Sequence, residues 1–339
     1  MGWIAILLAA MVAAFALTAA LRHYALAQRW LDVPNARSSH SRPTPRGGGL
    51  AIVAVFVLAL AGLALAEVVA MSVLTALVGA GLLVALVGWL DDRGHVAAGW
   101  RLLAHFLAAG WGLAWLGGLP PLVLFGTPVD LGWPGQLLAL LYLVWLLNLY
   151  NFMDGIDGIA GIEALAVGAS VALLLGWLAG DGHWLAPALL AATSLGFLLW
   201  NFPRAQIFMG DSGSGFLGLM LGLLSIQAAW VAPEYLWMWL ALLGVFVVDA
   251  TLTLLRRLLR GERVYQAHRS HAYQHAARML GSHVPVALGA GLLTLLWLLP
   301  VAALVALGHL DGAVAVLIAY APLVAGAWWL RAGAPGDCP

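Results

Sequence analysis

The sequence predicts an all-α fold, a polytopic transmembrane helical bundle of about eleven spans. Its composition, its apolar segments and the distribution of its arginines all support this prediction. Of the 339 residues, 63% are hydrophobic and only 9% are charged, whereas soluble domains carry about 25% charged residues. Helices are expected to cross the membrane because a strand edge cannot remain unpaired in hydrocarbon. We predict a single membrane domain, residues 1–339, without a separate soluble domain.

Eleven apolar segments approach the length of about 20 residues that a helix needs to cross the hydrocarbon. They are 2–21, 48–66, 69–89, 101–117, 134–150, 159–179, 184–200, 213–231, 235–255, 284–306 and 312–330. The first has no positively charged start and is longer than a signal-peptide core, so it is predicted to be an uncleaved span. The single cysteine, Cys338, allows no internal disulfide.

The arginines predict the orientation, because cytoplasmic loops carry an excess of positive charge. All 15 basic residues are arginine. With the N-terminus outside and the C-terminus inside, every one falls within or at the border of a cytoplasmic segment. These segments are 22–47, 90–100, 151–158, 201–212, 256–283 and the C-terminal tail. The sequence thus predicts a multi-pass protein of the bacterial inner membrane, with a periplasmic N-terminus and a cytoplasmic C-terminus.

The same distribution gathers nearly all ionisable side chains at the cytoplasmic face. A transporter usually places polar groups near the middle of the bilayer, in discontinuous helices. Here only His105 and Asp249 are candidates for such a position. Chemistry at the inner membrane surface is therefore favoured, while a non-enzymatic transporter stays as an alternative.

The first cytoplasmic loop contains Arg37, His40, Arg42 and Arg46, followed by three glycines at 47–49. These side chains could contact phosphate, and the glycines would let backbone N–H groups approach it closely. The alternative is an ordinary basic loop that follows the distribution of positive charge.

Asp91 and Asp92 come directly after the third span. Adjacent carboxylates at a membrane edge can act as a base with a raised pKa or attract a divalent cation. Neighbouring residues of a helix point about 100° apart, so their joint action is expected to require a broken helix end. The alternative is a solvated helix terminus.

Polar side chains then recur every three residues at the inner end of the fifth span: Asn148, Asn151, Asp154 and Asp157. Carboxylate and amide oxygens are the ligands of hard cations such as Mg²⁺. Gly155 and Gly158 indicate a loosened backbone that could turn the carboxylates inward. Helix capping is the alternative, but it explains only one of these aspartates.

Asp211 lies just before the eighth span, where it or Ser212 is expected to cap the helix. The last large loop contains His268, Arg269, His271, Gln274 and His275. If this loop is helical, its three histidines share one face. Zinc is disfavoured because Ala272 replaces the glutamate of an HExxH motif. A donor-rich surface for a sugar and a pyrophosphate fits better, and a basic surface on anionic lipid is the alternative.

Four motifs in this order resemble the polyprenyl-phosphate N-acetylhexosamine 1-phosphate transferases, the superfamily of MraY and WecA (glycosyltransferase family 4). They are the pair Asp91-Asp92, the stretch from Asn148 through FMDGIDG, FMGDSGS around Asp211, and HRSHAYQH from His268. Together they extend over nearly the whole chain, and the HRSHAYQ form is most similar to the WbpL-like branch. The three-histidine run of MraY is absent, which disfavours UDP-MurNAc-pentapeptide as the donor.

The resemblance implies that Asp211 and Asn151 hold Mg²⁺, with Mn²⁺ as a substitute, against the donor pyrophosphate. Asp91 and Asp92 would orient or deprotonate the lipid phosphate, and Arg101 would contact a phosphate. The remaining matches have implied roles in the donor pocket. Asp154 and Asp157 would be catalytic and would shape the nucleotide site. The implied substrate-binding residues are Asn148, His268, Arg269, His271, Gln274 and His275. Arg37, His40 and Arg46 are further predicted substrate contacts from the first loop.

The implied reaction transfers a sugar 1-phosphate from a UDP-amino sugar to undecaprenyl phosphate and releases UMP. Its expected role is to start O-antigen or another surface polysaccharide. One alternative is a CDP-alcohol phosphotransferase. It is disfavoured because Asp154-Gly-Ile-Asp-Gly is not followed by that family's further aspartates. The other alternative is the transporter named above. The sequence does not decide between single and double displacement. It also leaves open the donor sugar and the oligomeric state, for which a homodimer is one possibility. No nucleic-acid partner is predicted.

Overall fold

A computed structural model describes residues 2–34, 42–94, 96–180, 182–262 and 268–334. The first half of the chain folds into α1 (Gly2–Ala27), α2 (Gly49–Leu65), α3 (Met71–Gly94), α4 (Ala98–Leu116), α5 (Gly132–Met153) and α6 (Ile159–Leu178). The second half contains α7 (Leu185–Asn201), α8 (Asp211–Val231), α9 (Glu234–Leu242), α10 (Gly244–Leu259), α11 (Ala272–Leu280), α12 (Val284–Leu293), α13 (Leu299–Ala306) and α14 (Gly312–Trp329). Each predicted span coincides with one or two of these helices.

Two short antiparallel hairpins interrupt the otherwise helical fold. In the first, β1 (Leu31–Asp32) pairs with β2 (Thr44–Pro45). In the second, β3 (Leu122–Leu124) pairs with β4 (Thr127–Val129). Neither belongs to a predicted span, so both fit the rule that strands do not cross the bilayer singly.

Helix α8 forms the centre of the bundle, packed between α3 and α5, whereas α1 and α14 lie at the periphery. Large apolar side chains on the outer helices are exposed, among them Leu8, Leu107 and Leu317. Such an apolar exterior suits lipid as the solvent, because soluble proteins rarely expose large apolar surfaces. The protein is therefore a multi-pass helical membrane protein.

Within the described residues, seven helices are long and apolar enough to cross a membrane, or up to eight if α9 and α10 form one broken span. The predicted spans at α2 and α7 are shorter, with 17 residues each, and α4 carries Arg101 and His105. The count of eleven spans and the orientation of the termini stay predictions.

The ninth predicted span, 235–255, is not one straight helix. The chain instead bends by 70° between α9 and α10. Along α10, Asp249, Thr253 and Arg257 follow one another at intervals of four residues, and all three are buried. A straight span would bury this polar stripe within the apolar bundle, whereas the bend lets it face the polar loop that follows.

The tenth span is also irregular, because a π-helical turn at Thr294–Leu298 separates α12 from α13. Pro300 lacks an N–H group and cannot continue the regular helical bonding. The Thr294 hydroxyl donates to the buried carboxylate of Glu163 at 3.1 Å, which ties this turn to α6.

Candidate active site

The end of α3 meets the start of α8 at Asp92. The buried carboxylate of Asp92 accepts the backbone N–H groups of Asp211 at 3.1 Å and Ser212 at 3.4 Å. The guanidinium of Arg46 lies 3.7 Å from the same carboxylate. An anion at a helix N-terminus satisfies unpaired N–H groups and the helix dipole. The prediction that Asp211 or Ser212 caps α8 is therefore wrong, because the cap comes from α3.

Glycine permits this close approach of the two helices. A Cβ atom on Gly88 would lie 2.5 Å from the backbone nitrogen of Ser212. Gly210, which precedes α8, has a φ of +78°, and its Cβ would lie 2.5 Å from Asp92 Oδ2. A side chain at either position would separate Asp92 from the N–H groups it caps.

Asp91 points to a different side of α3 and pairs with the guanidinium of Arg101, in the first turn of α4. It also accepts the backbone N–H of Val96 at 2.6 Å. Arg101 Nη1 lies 3.5 Å from Asp211 Oδ2, so this arginine bridges the two carboxylates. The broken helix end that joint action of the two aspartates was expected to require is not present. Helix α3 continues to Gly94, and the two aspartates reach Asp211 from different directions.

The predicted metal ligands face one small cavity between α3, α4, α5 and α8. Arg101, His105, Asn148, Asn151 and Asp211 all line it, and its volume is about 30 Å³. This is enough space for a water molecule or a small ion. The structure therefore brings together side chains from three segments that are far apart in the sequence.

The Asp154–Asp157 segment continues the site beyond the end of α5. Asp157 pairs with His283, whose Nδ1 lies 3.4 Å from the carboxylate. Gly158, with a φ of +82°, donates its N–H to the side chain of Asn201 at 2.9 Å. Asn201 also donates to the carbonyl of Ile207 at 2.9 Å, and so joins this segment to the one that leads into α8.

The electrostatic surroundings of Asp154 show that the aspartates share one negative region. Burial, followed by repulsion from Asp211 and Asp92, raises the pKa of Asp154 well above its usual value. Arg46 opposes this shift without cancelling it. The acidic neighbours therefore oppose the deprotonation of Asp154, and a divalent cation bound among these carboxylates would relieve that repulsion.

The side chains fit Mg²⁺ better than a closed metal site. Across the part of the chain that the structure describes, no group of three or more His, Cys, Asp or Glu side chains is placed to hold a metal. Mg²⁺ commonly uses one or two carboxylates and completes its shell with water and substrate phosphate. Asp211 and the amide oxygen of Asn151 are ligands of this kind.

The loop between α10 and α11 is held by Asp249. Its carboxylate accepts the N–H groups of Ala272 and Tyr273, both at 2.9 Å, and lies 3.3 Å from His271 Nδ1. The side chain of Gln274 accepts the backbone N–H of His271 at 3.3 Å. His271 and Gln274, both predicted to bind substrate, are thus buried and take part in the start of α11.

A helical loop would place the three histidines on one face. The structure does not show this arrangement. Helix α11 begins at Ala272, so His268 lies before it and only His275 lies on it. His268 stacks on His271 with ring centroids 4.8 Å apart. Burial, His271 and Arg257 lower the pKa of His268 to about 3, so this ring is neutral near pH 7.

The loop nevertheless adjoins the aspartates. The Tyr273 hydroxyl donates to the carbonyl of Phe152 at 3.0 Å, at the end of α5. Arg269 and His275 are partly buried in the same region. All five predicted cytoplasmic segments that precede the C-terminal tail therefore contribute to one end of the bundle.

Comparisons with known proteins show the family to which the chain belongs. The model of glycosyl transferase family 4 matches residues 74–229, which include Asp91, Asn151 and Asp211. A decaprenyl-phosphate N-acetylglucosaminephosphotransferase of Mycobacterium leprae is 32% identical over 287 residues, 75% of this chain and 72% of that protein. The chain belongs to glycosyl transferase family 4, with the polyprenyl-phosphate N-acetylhexosamine 1-phosphate transferases.

Two further relatives of this family differ in how much they cover. A probable undecaprenyl-phosphate N-acetylglucosaminyl 1-phosphate transferase of Bacillus subtilis is 27% identical over 75% of this chain and 71% of its own. A phospho-N-acetylmuramoyl-pentapeptide-transferase of Synechococcus elongatus is 32% identical over 51% of this chain and 50% of its own. The similarity to the relatives named for N-acetylglucosamine thus extends further.

Two of the predicted site residues are not among those that the structure describes. The sequence also indicated no role for several residues that position the site. Arg37 and His40 lie outside the described residues. Arg46 is placed, 3.0 Å from Asp32 and close to Asp92. Sequence reasoning did not assign Asn201 or His283 a role, and it noted Asp249 only as an ionisable residue within a span. Only the last carried a usable signal, since an intramembrane carboxylate needs a partner.

Proposed function

We propose that this protein transfers an N-acetylhexosamine 1-phosphate from a UDP-sugar to undecaprenyl phosphate, with release of UMP. The observation that carries the proposal is the convergence of Asp211, Asn151 and Arg101 on one cavity, with Asp91 and Asp92 attached to the same site. The names of the similar proteins support the same chemistry, since they describe phosphotransfer to polyprenyl phosphates.

The reaction is a displacement at the β-phosphorus of the donor. An oxygen of the lipid phosphate forms a bond to this phosphorus, and the bond from phosphorus to the bridging oxygen of UMP breaks. The products are a polyprenyl diphosphate sugar and UMP. Such a transfer depends mainly on alignment and on neutralisation of negative charge. Direct displacement accounts for the site without a phosphorylated aspartate.

Asp211 and Asn151 are the residues that would hold Mg²⁺. When bound, the metal ion supplies positive charge to the phosphate oxygens and lowers the repulsion between two anionic reactants. Asp91 and Asp92 hold Arg101 and Arg46 at the edge of the site, where the two guanidinium groups would contact phosphate oxygens. Arginine is suited to this role because its planar guanidinium can bind two oxygens at once.

Each aspartate has a different role in this proposal. Asp92 positions Asp211, because both its oxygens are bonded to the start of α8. Asp91 orients Arg101. Asp154, whose pKa is raised by burial and by its acidic neighbours, can hold and release a proton near the reacting phosphates. Asp157 anchors the donor side of the site through His283.

The lipid acceptor is proposed to enter through a large apolar cavity between α10, α11, α12 and α14. This cavity has a volume of about 590 Å³, and its lining includes Val245, Leu293, Trp297 and Leu323. Tyr273 and Asp249 lie at its polar part, next to the loop that adjoins the aspartates. An isoprenoid chain suits such a surface because its burial is driven by the hydrophobic effect.

A UDP-N-acetylglucosamine-like donor is favoured over UDP-MurNAc-pentapeptide. The similarity to relatives named for N-acetylglucosamine covers about three quarters of the chain, against half for a pentapeptide transferase. The three-histidine run of MraY is also replaced by His268-Arg-Ser-His271. The product would start a surface polysaccharide such as O-antigen, at the cytoplasmic face of the bacterial inner membrane.

The test is a donor panel with the purified full chain in detergent. Undecaprenyl phosphate and Mg²⁺ are supplied with UDP-GlcNAc, UDP-GalNAc, UDP-FucNAc, UDP-QuiNAc or UDP-MurNAc-pentapeptide, and UMP release is measured. We expect release with at least one amino sugar, dependent on the lipid, and none with the pentapeptide donor. Absence of UMP release with every donor would refute the proposal.

A further inference from the structure

Trp30 lies between α1 and β1, next to the site but without a role in it so far. Its backbone N–H donates to the carbonyl of Ala25 at 2.8 Å, so its backbone is held by the last turns of α1. Its indole N–H donates to the backbone carbonyl of Asp92 at 3.3 Å, 62 positions further along the chain. This carbonyl is in the last turn of α3, where carbonyls lack a partner within the helix. One side chain therefore connects the end of α1 to the residue that caps α8.

The indole ring of Trp30 also contacts two residues at the edge of the site. The guanidinium of Arg93 lies over this ring, 5.1 Å from its centroid, and 4.4 Å from the ring centroid of Trp89. Such cation–π contacts are favourable even at exposed positions. The ring also packs against the backbone of Gly47, which has a φ of +93° and whose Cβ would lie 2.7 Å from Trp30 Cη2. The ring thus occupies the space between the end of α3 and the residue that follows Arg46.

Arg46 lies between two carboxylates that are close to Trp30. Its guanidinium is 3.0 Å from Asp32 Oδ2 and 3.7 Å from Asp92 Oδ1. Asp32 belongs to β1, which begins one residue after Trp30 and pairs with β2. The Arg46 side chain is 35% exposed, and ion pairs at such positions are weak by themselves because water and salt screen them. The orientation of this guanidinium therefore depends on how firmly the backbone around it is held.

We propose that Trp30 is a positioning residue that sets the direction of the Arg46 guanidinium. Its indole N–H holds the backbone of Asp92, and its ring holds the backbone of Gly47, which is next to Arg46 in the chain. The inference rests on the proposed function, in which Arg46 contacts phosphate oxygens. A displacement between two anionic phosphates depends on such alignment, and a small misplacement of a charged group slows it. Trp30 acts through Arg46 and makes no contact with substrate in this proposal.

The test is a double-mutant cycle on UMP release by the purified full chain in detergent, with undecaprenyl phosphate, Mg²⁺ and the donor that the wild type uses. Trp30→Ala should lower kcat/KM about tenfold in the wild-type background. In the Arg46→Gln background it should change kcat/KM less than about twofold, because the group through which it acts is already lost. Trp30→Phe keeps an aromatic ring but removes the indole N–H, and should recover part of the loss.

Trp237→Ala is the matched control. The indole N–H of Trp237 donates to the backbone carbonyl of Val123 at 2.9 Å, in the hairpin of β3 and β4, and neither residue lines the cavity that contains Asp211. We expect this variant to change kcat/KM by the same small factor in both backgrounds, because distant sites act independently. The proposal is wrong if Trp30→Ala keeps the wild-type kcat/KM, or if it lowers kcat/KM by the same factor in both backgrounds.

Thermal unfolding separates this inference from the proposed function. The decreases in melting temperature of Trp30→Ala and Arg46→Gln should add up to more than the decrease in the double variant. If the wild type releases no UMP with any donor, the proposed function fails, and the unfolding cycle alone decides whether Trp30 positions Arg46; additive decreases would refute it. If Trp30→Ala does not elute as the wild-type chain does on gel filtration, Trp30→Phe and Trp30→Leu replace it in both cycles, with smaller expected effects.

Discussion

Asp92, in the last turn of α3, accepts the backbone N–H of Asp211, the first residue of α8, at 3.1 Å. This bond joins two helices through residues that are 119 positions apart in the chain. It also fixes the backbone position of Asp211. At the other end of this side chain, Arg101 Nη1 lies 3.5 Å from Asp211 Oδ2. The position of the proposed metal ligand therefore depends on a neighbouring aspartate.

Replacing Asp92 with alanine should lower both stability and activity. The variant leaves two buried N–H groups at the start of α8 unpaired, which costs about 1–3 kcal/mol. Thermal unfolding in detergent and UMP release measure the two effects. Asp311→Ala is the matched control, because Asp311 caps α14 by accepting from Ala313 and Val314. We expect the control to lose stability but to keep its transfer rate per folded molecule; equal rates in both variants would show that Asp92 does not position the site.

Replacing Asp249 with asparagine should weaken donor binding more than it slows turnover. The carboxylate holds His271 and the start of α11, and an amide can accept at only one of its two terminal atoms. We expect the KM for the donor to rise about tenfold while kcat changes less. Thr253→Val, which removes only a hydroxyl that donates to Asp249 at 3.1 Å, is the milder control. An unchanged KM in Asp249→Asn would contradict a role for this loop in donor binding.

The raised pKa of Asp154 predicts a pH-dependent stability difference. Above the pKa of the unfolded chain, near 4, the folded protein binds more protons at this residue than the unfolded one. Its contribution to stability therefore falls as the pH rises toward the folded-state pKa. Asp154→Asn does not titrate, so it should not lose stability at this position as the pH rises. Without divalent metal, the melting temperature of Asp154→Asn minus that of the wild type should increase from pH 5 to pH 8, and a constant difference would contradict the assignment.

Removal of divalent metal should abolish transfer, because the repulsion between the two phosphates would then be opposed by arginines alone. Chelation with EDTA should stop UMP release, Mg²⁺ should restore it, and Mn²⁺ should substitute. Initial rates against free metal concentration measure the requirement. Undiminished activity in EDTA would exclude the proposed role of Asp211 and Asn151 as metal ligands.

The sequence predicted the helices well, because runs of apolar residues are a direct signal of membrane-spanning segments. It also predicted that Asp91, Asn151 and Asp211 converge, since charge and motif order assigned them to one face. It did not predict the bend between α9 and α10, because the apolar stretch 235–255 is continuous. The buried polar stripe from Asp249 to Arg257 can be interpreted only once its contacts in the folded protein are known.

Contacts between helices were beyond the reach of sequence patterns. Nothing local to Asp92 indicates that it caps α8, because its partners are 119 and 120 residues away. The contact between His283 and Asp157 spans 126 residues and has no periodic signal. The burial of His271 likewise follows from Asp249 in another helix. Such relationships depend on lateral packing, which hydropathy and spacing do not specify.

The most direct test of the central claim is UMP release by Asp211→Asn, with undecaprenyl phosphate, Mg²⁺ and the donor that the wild type uses. Asp130→Asn is the control, because Asp130 is an exposed aspartate in a predicted outward segment. We expect Asp211→Asn to lose about a thousandfold or more of its rate while it elutes as a folded protein, and the control to keep full activity. Full activity in folded Asp211→Asn would contradict a phosphotransfer site at this carboxylate.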